Sequence, residues 1–202
     1  MRGLYLITND DPFNVLIKKL EVALATNQIK ILQYRRKKIL PSAQVDEIQH
    51  IKLLCEKYHT PFIINDDLSL AQSFGLGVHL GQSDGEVTDA KTHLLDHAII
   101  GRTCANSIEL AADAIQQGAT YVAFGAIFAT ATKPEAGDVG LDILRKAKQT
   151  FDVPICAIGG LTVENAASVI DAGADLCAVI SDVLALDTDA IPDRVHAWAN
   201  KF

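Results

Sequence analysis

No apolar run in this chain reaches the length needed to cross a membrane. The opening, MRGLYLITND, meets polar residues too soon to read as a secretory signal. A surplus of cations is also missing. Eighteen Lys and Arg stand against 25 Asp and Glu, a formal net charge of −7, which excludes the broad basic face of a general nucleic-acid binder. Cysteine is scarce, and the four present (Cys55, Cys104, Cys156, Cys177) form no CxxC and no His/Cys cluster with zinc-ligand spacing. Cys156 and Cys177 sit inside apolar runs and read as small core residues, so a reduced, cytoplasmic setting is expected. No GxSxG elbow is present, and the first strand–helix turn, LITNDDPFN, lacks a glycine-rich dinucleotide fingerprint. No Pro/Gly-rich linker divides the 202 residues, so one domain over 1–202 is expected.

What is present is apolar residue in short, regular instalments. Apolar residues make up 49% of the chain, enough for a sizeable core. They recur as LYLIT (4–8), IKILQYR (29–35), PFIIN (61–65), GVHL (77–80), AIIGRT (98–103), YVAFG (121–125), PICAIGG (154–160) and DLCAVIS (175–181). Most of these runs are continuous rather than alternating, as in parallel strands covered on both faces. Between them lie helical patterns. NSIELAADAIQQGA (106–119) starts at an Asn–Ser cap and stops at Gly118; TVENAASVIDAGA (162–174) starts at Thr162 and stops at Gly173. SAQVDEIQHIKLLCEKY (42–58) places Val45, Ile48, Ile51, Leu53 and Leu54 on one broad face, and a shorter helix is expected around TDAKTHLL. Eight strands alternating with helices predict an α/β fold, a (β/α)₈ TIM barrel. An open doubly wound sheet is the other candidate, disfavoured by the missing fingerprint.

Barrel chemistry gathers at the C-terminal ends of the strands. The second run ends in QYRRKK, where Gln33, Arg35 and Lys37, spaced by two, point to one side of an extended chain. Arg36 and Lys38 alternate with them and read as solvent-facing charge. The third run ends in Asn65, Asp66 and Asp67, and the fourth leads into GQSD with Gln82 and Asp84. Asp66 reads as a metal ligand; Asp67 is equally a helix cap or a ligand. His79, inside an apolar strand, reads as a hydrogen-bonded core histidine. Thr103 ends the fifth run, Thr130, Thr132 and Lys133 follow the sixth, Gly159–Gly160 end the seventh, and Ile180–Ser181 end the eighth. Cations and backbone N–H groups suit phosphate oxygens, and an Asp pair suits Mg²⁺, which keeps few protein ligands and several waters. Two anion stations are therefore expected, at strands 2–4 and at strands 7–8.

The segments LYLIT, LQYRRK, FIINDD, GVHLGQSD, IGRT, YVAFGAIFATATKP, PICAIGGL and GADLCAVIS occur in an order and spacing that resemble the thiamine-phosphate synthase family over essentially the whole chain. The resemblance implies a (β/α)₈ barrel transferase joining 4-amino-2-methyl-5-(diphosphooxymethyl)pyrimidine to a thiazole or carboxythiazole monophosphate, with release of pyrophosphate. It implies that Gln33, Arg35, Lys37 and Asn65 contact the pyrimidine diphosphate, that Asp66 and Asp84 hold Mg²⁺, and that Lys133 reaches the diphosphate. It implies that Thr130 and Thr132 contact the thiazole and that Gly160, Ile180 and Ser181 bind its phosphate. Arg35, Lys37 and Lys133 become the expected catalytic cations. Thr103 stands where the family more often has serine, keeping the hydroxyl. The loop after Lys133, PEAGDVGL, is short. A sister family, the thiazole tautomerases, shares much of the barrel but places a histidine near Ala105; that activity, or another phosphate-binding isomerase, is the alternative. A barrel that binds a thiamine precursor without turnover is a further one. The implied partners are small molecules, with neither nucleic acid nor membrane, and a homo-oligomer is compatible with the sequence.

Overall fold

The computed structural model describes residues 1–129 and 139–202. Eight parallel strands close into a barrel in sequence order: β1 (Gly3–Ile7), β2 (Ile29–Tyr34), β3 (Phe62–Asn65), β4 (Gly77–Leu80), β5 (Ile100–Thr103), β6 (Tyr121–Phe124), β7 (Ile155–Ile158) and β8 (Leu176–Val179). The expected fold and all eight strands are borne out. The helices are α1 (Phe13–Ala25), α2 (Pro41–Lys57), α3 (Leu68–Phe74), α4 (Val87–His93), α5 (Ile108–Gln117), α6 (Asp142–Thr150), α7 (Ala166–Asp171), the short α8 (Ser181–Leu184) and α9 (Ile191–Ala199). None of the described helices is long and apolar enough to cross a membrane.

Continuous apolar strands are needed because each strand faces two dry surfaces. In β1, Leu4 and Leu6 join the core between barrel and helices, while Tyr5 and Ile7 join the core inside the barrel. The inner core mixes large and small side chains: Tyr5, Ile31, Ile63 and Tyr121 beside Ala123, Cys156 and Ala178. The mixture is geometric. A Cβ on Gly101 would fall 2.1 Å from Cζ of Tyr121, so the glycine in β5 is what admits the tyrosine ring of β6.

Local chemistry sets the helix ends. Ser107 caps α5 by accepting the Leu110 N–H, and Gly118 closes it in a left-handed turn, as its sequence predicts. The seventh helix departs from expectation. It starts at Ala166 rather than Thr162, because Asn165 holds the preceding turn by accepting the Thr162 N–H and donating to the Gly160 carbonyl.

Two readings around α2 need correction. Ile48 and Ile51 are buried as expected, but Val45 and Leu53 are exposed; the buried stripe is completed by Glu47 and Cys55. The reason is Arg36, which is not solvent-facing charge but 4% exposed. Alternation continues past the end of β2, so Leu32, Tyr34 and Arg36 all face the helix layer. Arg36 Nη2 donates to Glu47 Oε1 at 3.1 Å, and its Nη1 donates to the carbonyls of Asn9 and Asp11 at 2.8 and 2.7 Å. Its Nε lies 2.8 Å from Glu47 Oε2, an ion-pair contact without an aligned hydrogen bond. The Tyr34 hydroxyl donates to the same Glu47 oxygen at 2.7 Å. The buried Glu47–Arg36 pair thus ties β2 and α2 to the loop after β1.

Removing one member of a buried ion pair strands the other. Glu47→Ala is expected to cost about 3–5 kcal/mol of stability. Val45→Ala and Leu53→Ala, on the exposed side of the same helix, are each expected to stay within about 0.5 kcal/mol. Urea unfolding midpoints of the three variants check both expectations.

Candidate active site

The polar residues at the strand ends meet on one half of the barrel mouth, across β2 to β5. Just beyond β2, the backbone N–H of Arg35 donates to Thr8 Oγ1 at 2.7 Å, which fixes where its side chain departs. Among the described residues no acceptor holds the Arg35 guanidinium. Lys37 reaches over β3, where its ammonium lies 3.0 Å from Asp66 Oδ2.

Asp66 and Asp67 part company at the end of β3. Asp67 caps α3, accepting the Leu70 N–H at 2.8 Å, which settles its role as a cap. Asp66 instead takes a left-handed backbone (φ 65°), which turns its carboxylate toward the fourth loop. There Asp84 accepts the Gly81 N–H through Oδ2 at 3.0 Å. A Cβ on Gly81 would lie 2.4 Å from Asp84 Oδ2 and 3.9 Å from Asp66 Oδ1, so the two carboxylates converge on space that only glycine leaves open. No group of three or more His, Cys, Asp or Glu side chains gathers for a metal among the described residues. Two convergent carboxylates nevertheless fit a hard cation that keeps most of its water. Burial pushes Asp66 up, but the hydrogen bond and charge of Lys37, with contacts to Asp84 and Asn65, outweigh it and hold its carboxyl below the usual value.

Beneath this rim runs a chain of hydrogen bonds that sequence reasoning missed. Gln33 Nε2 donates to the Tyr5 hydroxyl at 2.7 Å, and the Tyr5 and Tyr121 hydroxyls lie 2.9 Å apart. Tyr121 contacts His79 Nδ1 at 2.7 Å, and His79 Nε2 contacts Thr103 Oγ1 at 2.8 Å. His79 is therefore the hydrogen-bonded histidine expected of it. It also stacks on the Tyr121 ring, centroids 5.6 Å apart. Burial pushes both tyrosines well above their usual pKa, so they remain hydroxyls. The only signal available beforehand was an inward-facing polar residue in each of several apolar strands. Gln82 Nε2, bonded to the Thr103 carbonyl, joins the fourth loop to the fifth strand.

The opposite rim is made of backbone. Gly159 and Gly160 both take positive φ (99° and 65°). A Cβ on Gly159 would lie 2.4 Å from that of Ala126, and one on Gly160 would lie 2.8 Å from the Ala129 carbonyl, so neither position admits a side chain. Ile180 and Ser181 open α8 beside them. Asp182, the next residue, accepts Trp198 Nε1 at 2.7 Å and lies 3.6 Å from Arg194, which also holds Glu164 at 2.9 Å. Thr130, Thr132 and Lys133, with residues 134–138 of the loop that follows, lie outside the described residues.

A family model described as thiamine monophosphate synthase matches residues 4–183. The thiamine-phosphate synthase of Azoarcus sp. (strain BH72) is 44% identical over 92% of this chain and 90% of its own. That of Thioalkalivibrio sulfidiphilus (strain HL-EbGR7) is 41% identical over 98% and 95%. The solved thiamine phosphate pyrophosphorylase from Pyrococcus furiosus superposes with a TM-score of 0.86 at 28% identity, covering 98% of this chain and 94% of that one.

The lowered Asp66 carboxyl carries a pH signature. Its contribution is present above the unfolded carboxylate value of about 3.9 and is lost as pH falls through the lower folded value. Lys37 is more than half exposed, so the contribution stays below about 1 kcal/mol. Wild type is expected to exceed Asp66→Asn in stability by that small margin at pH 7, and the two are expected to converge near pH 2. Urea titrations at the two pH values measure it.

Proposed function

The chain belongs to the thiamine monophosphate synthase family, and from that premise we propose how its barrel mouth makes thiamine phosphate. It is a transferase that condenses the aminopyrimidine diphosphate with a thiazole phosphate, giving thiamine monophosphate and pyrophosphate. The relatives at 41–44% identity carry the synthase name, which favours synthesis over the tautomerase activity.

The observation that carries the proposal is the pairing of Lys37 with Asp66, beside Asp84 and the guanidinium of Arg35, which no acceptor among the described residues holds. Arg35, Lys37 and, from the sequence, Lys133 would hold the diphosphate. Asn65 and Gln33 would seat the pyrimidine to which it is attached. Asp66 and Asp84 would hold Mg²⁺, which supplies further positive charge against the leaving group. Thr130 and Thr132 would contact the thiazole. Its phosphate would rest on backbone N–H groups around Gly160, Ile180 and Ser181, next to the short helix common at this corner of such barrels.

The reaction then needs little covalent help. The bond from the pyrimidine methylene to the diphosphate oxygen breaks, and its electron pair leaves with the pyrophosphate. The ring-stabilised methylene cation accepts the lone pair of the thiazole nitrogen, and the new C–N bond completes the product. Protein cations stabilise the charge that develops on the leaving group, and the two seats hold the reacting atoms in line. No protein nucleophile is required, and none is offered by cysteine. Burial pushes the thiols of Cys55, Cys104 and Cys177 up to about 12 and that of Cys156 well above its usual value. All four thiols are free and buried, which supports a reducing, cytoplasmic setting.

Purified protein with both substrates and Mg²⁺ is expected to form thiamine phosphate, and to stop when EDTA is added. Arg35→Ala and Lys133→Ala are each expected to lower kcat/KM by about 10²–10³ while keeping the wild-type unfolding midpoint. A folded wild-type protein that forms no product would overturn the reading. Undiminished turnover in either variant would remove that residue from the mechanism.

A further inference from the structure

The five-membered chain Gln33–Tyr5–Tyr121–His79–Thr103 begins and ends on residues of the mouth, yet its middle is sealed. Tyr5 is 1% exposed and Tyr121 0%. A sealed chain of hydroxyls has few ways to arrange its hydrogens. The Gln33 amide nitrogen can only donate, so Tyr5 accepts from it and must pass its own hydrogen to Tyr121. Tyr121 must then donate to His79 Nδ1. The imidazole hydrogen is left on Nε2, where it goes to Thr103 Oγ1. Thr103, having accepted, has its own hydrogen free for the mouth. With Gln33 in place, reversing the Tyr5–Tyr121 link gives Tyr5 two incoming hydrogens and no acceptor for its own; reversing the Tyr121–His79 link does the same to Tyr121; reversing the last link asks a neutral imidazole to accept at both nitrogens. The other fully satisfied arrangement reverses every link together and requires the Gln33 amide to turn over.

The two ends are therefore coupled. In the polarity seen here the Gln33 carbonyl oxygen is left for a ligand. Among the described residues it has no partner, yet it is not sealed, because the only buried side-chain atom without a hydrogen bond is Arg36 Nε. Gln33 then offers an acceptor while Thr103 offers a donor. In the reversed polarity Gln33 offers its N–H₂ and Thr103 only lone pairs.

We propose that the Tyr5–Tyr121–His79 relay is a positioning and specificity device: it locks Gln33 as an acceptor and Thr103 as a donor together. One polarity thereby selects a substrate with an amine at one end and an anionic oxygen at the other. The choice of ligand rests on the reading of the function given above; the polarity rests on the hydrogen bonds alone. Tyr5, Tyr121 and His79 act through Gln33 and Thr103 and are positioning residues.

Tyr121→Phe keeps the ring over Gly101 and removes the link. Tyr5 then regains an acceptor only if Gln33 turns its carbonyl inward, which shows the N–H₂ to the substrate. The test compares kcat/KM for the aminopyrimidine diphosphate with that for an analogue carrying a carbonyl in place of the amine. Wild type is expected to favour the amine strongly. Tyr121→Phe is expected to lower that preference by about tenfold or more, one hydrogen bond's worth of discrimination. A parallel fall for both substrates, with the ratio unchanged, would reduce the relay to scaffolding and overturn the proposal. The second measurement needs no turnover. Imidazole ¹⁵N spectra of the wild-type protein, with the His79 signals assigned by their loss in His79→Asn, are expected to show a neutral ring protonated on Nε2. Protonation on Nδ1 would overturn the polarity. If wild type makes no product, the functional reading fails while the ¹⁵N spectrum still decides the relay.

Discussion

Two tyrosine hydroxyls meet inside a closed barrel with no access to water, and much of the mouth follows from that requirement. A buried hydroxyl without a partner costs about 1–3 kcal/mol, so each must be answered by another polar group. Tyr5 and Tyr121 answer each other at 2.9 Å and need one more neighbour on either side. Those neighbours can come only from inward positions of other strands, and Gln33 and His79 occupy them. The Tyr121 ring also needs space, which Gly101 provides. The pair is at once the filling of the barrel core and the floor of the site. Fold stability and site geometry therefore share one set of contacts here, and a substitution of either tyrosine disturbs both.

The architecture was legible because its pattern repeats. Eight apolar runs with helical spacers admit few folds, and strand limits fell within a residue or two of the runs. What misled was the meaning of "outside". In an exposed sheet, residues alternating with an inward set face water. In this barrel they face helices. The alternation that separated Gln33, Arg35 and Lys37 from Arg36 was sound, but the second set has a dry layer to enter, and Arg36 enters it with Glu47 as counter-charge. A carboxylate inside α2 is invisible to hydrophobic periodicity, which assigns Val45 and Leu53 to a face that Glu47 helps to fill.

The candidate site was legible in a different way. Residues at the ends of strands must lie near one another once a barrel closes, so Lys37, Asp66, Asp84 and Thr103 could be gathered without knowing any distance. The relay beneath them could not. Tyr5 and Tyr121 are 116 residues apart, and each alone passes as an ordinary core aromatic. Nor could composition separate Asp66 from Asp67. The distinction is a backbone one: a left-handed turn at Asp66 sends its carboxylate across to Asp84, while Asp67 keeps extended backbone and caps α3.

The far rim poses an electrostatic problem that the fold resolves from underneath. Asp182 follows directly on Ser181, where a phosphate is proposed to sit, and an unpaired carboxylate there would repel it. Arg194 and Trp198 come up from α9 to hold Asp182, and its side chain is left 7% exposed. The same Arg194 reaches Glu164 in the loop after β7, so one cation ties together the two loops that make the phosphate seat. The helix that carries it also buries Ile191, Val195 and Trp198 against the body of the barrel. A terminal helix that completes the outer layer thereby also sets the charge of the rim. Its loss would be felt as weaker anion binding, as well as in stability, because the carboxylate it neutralises would face the ligand alone.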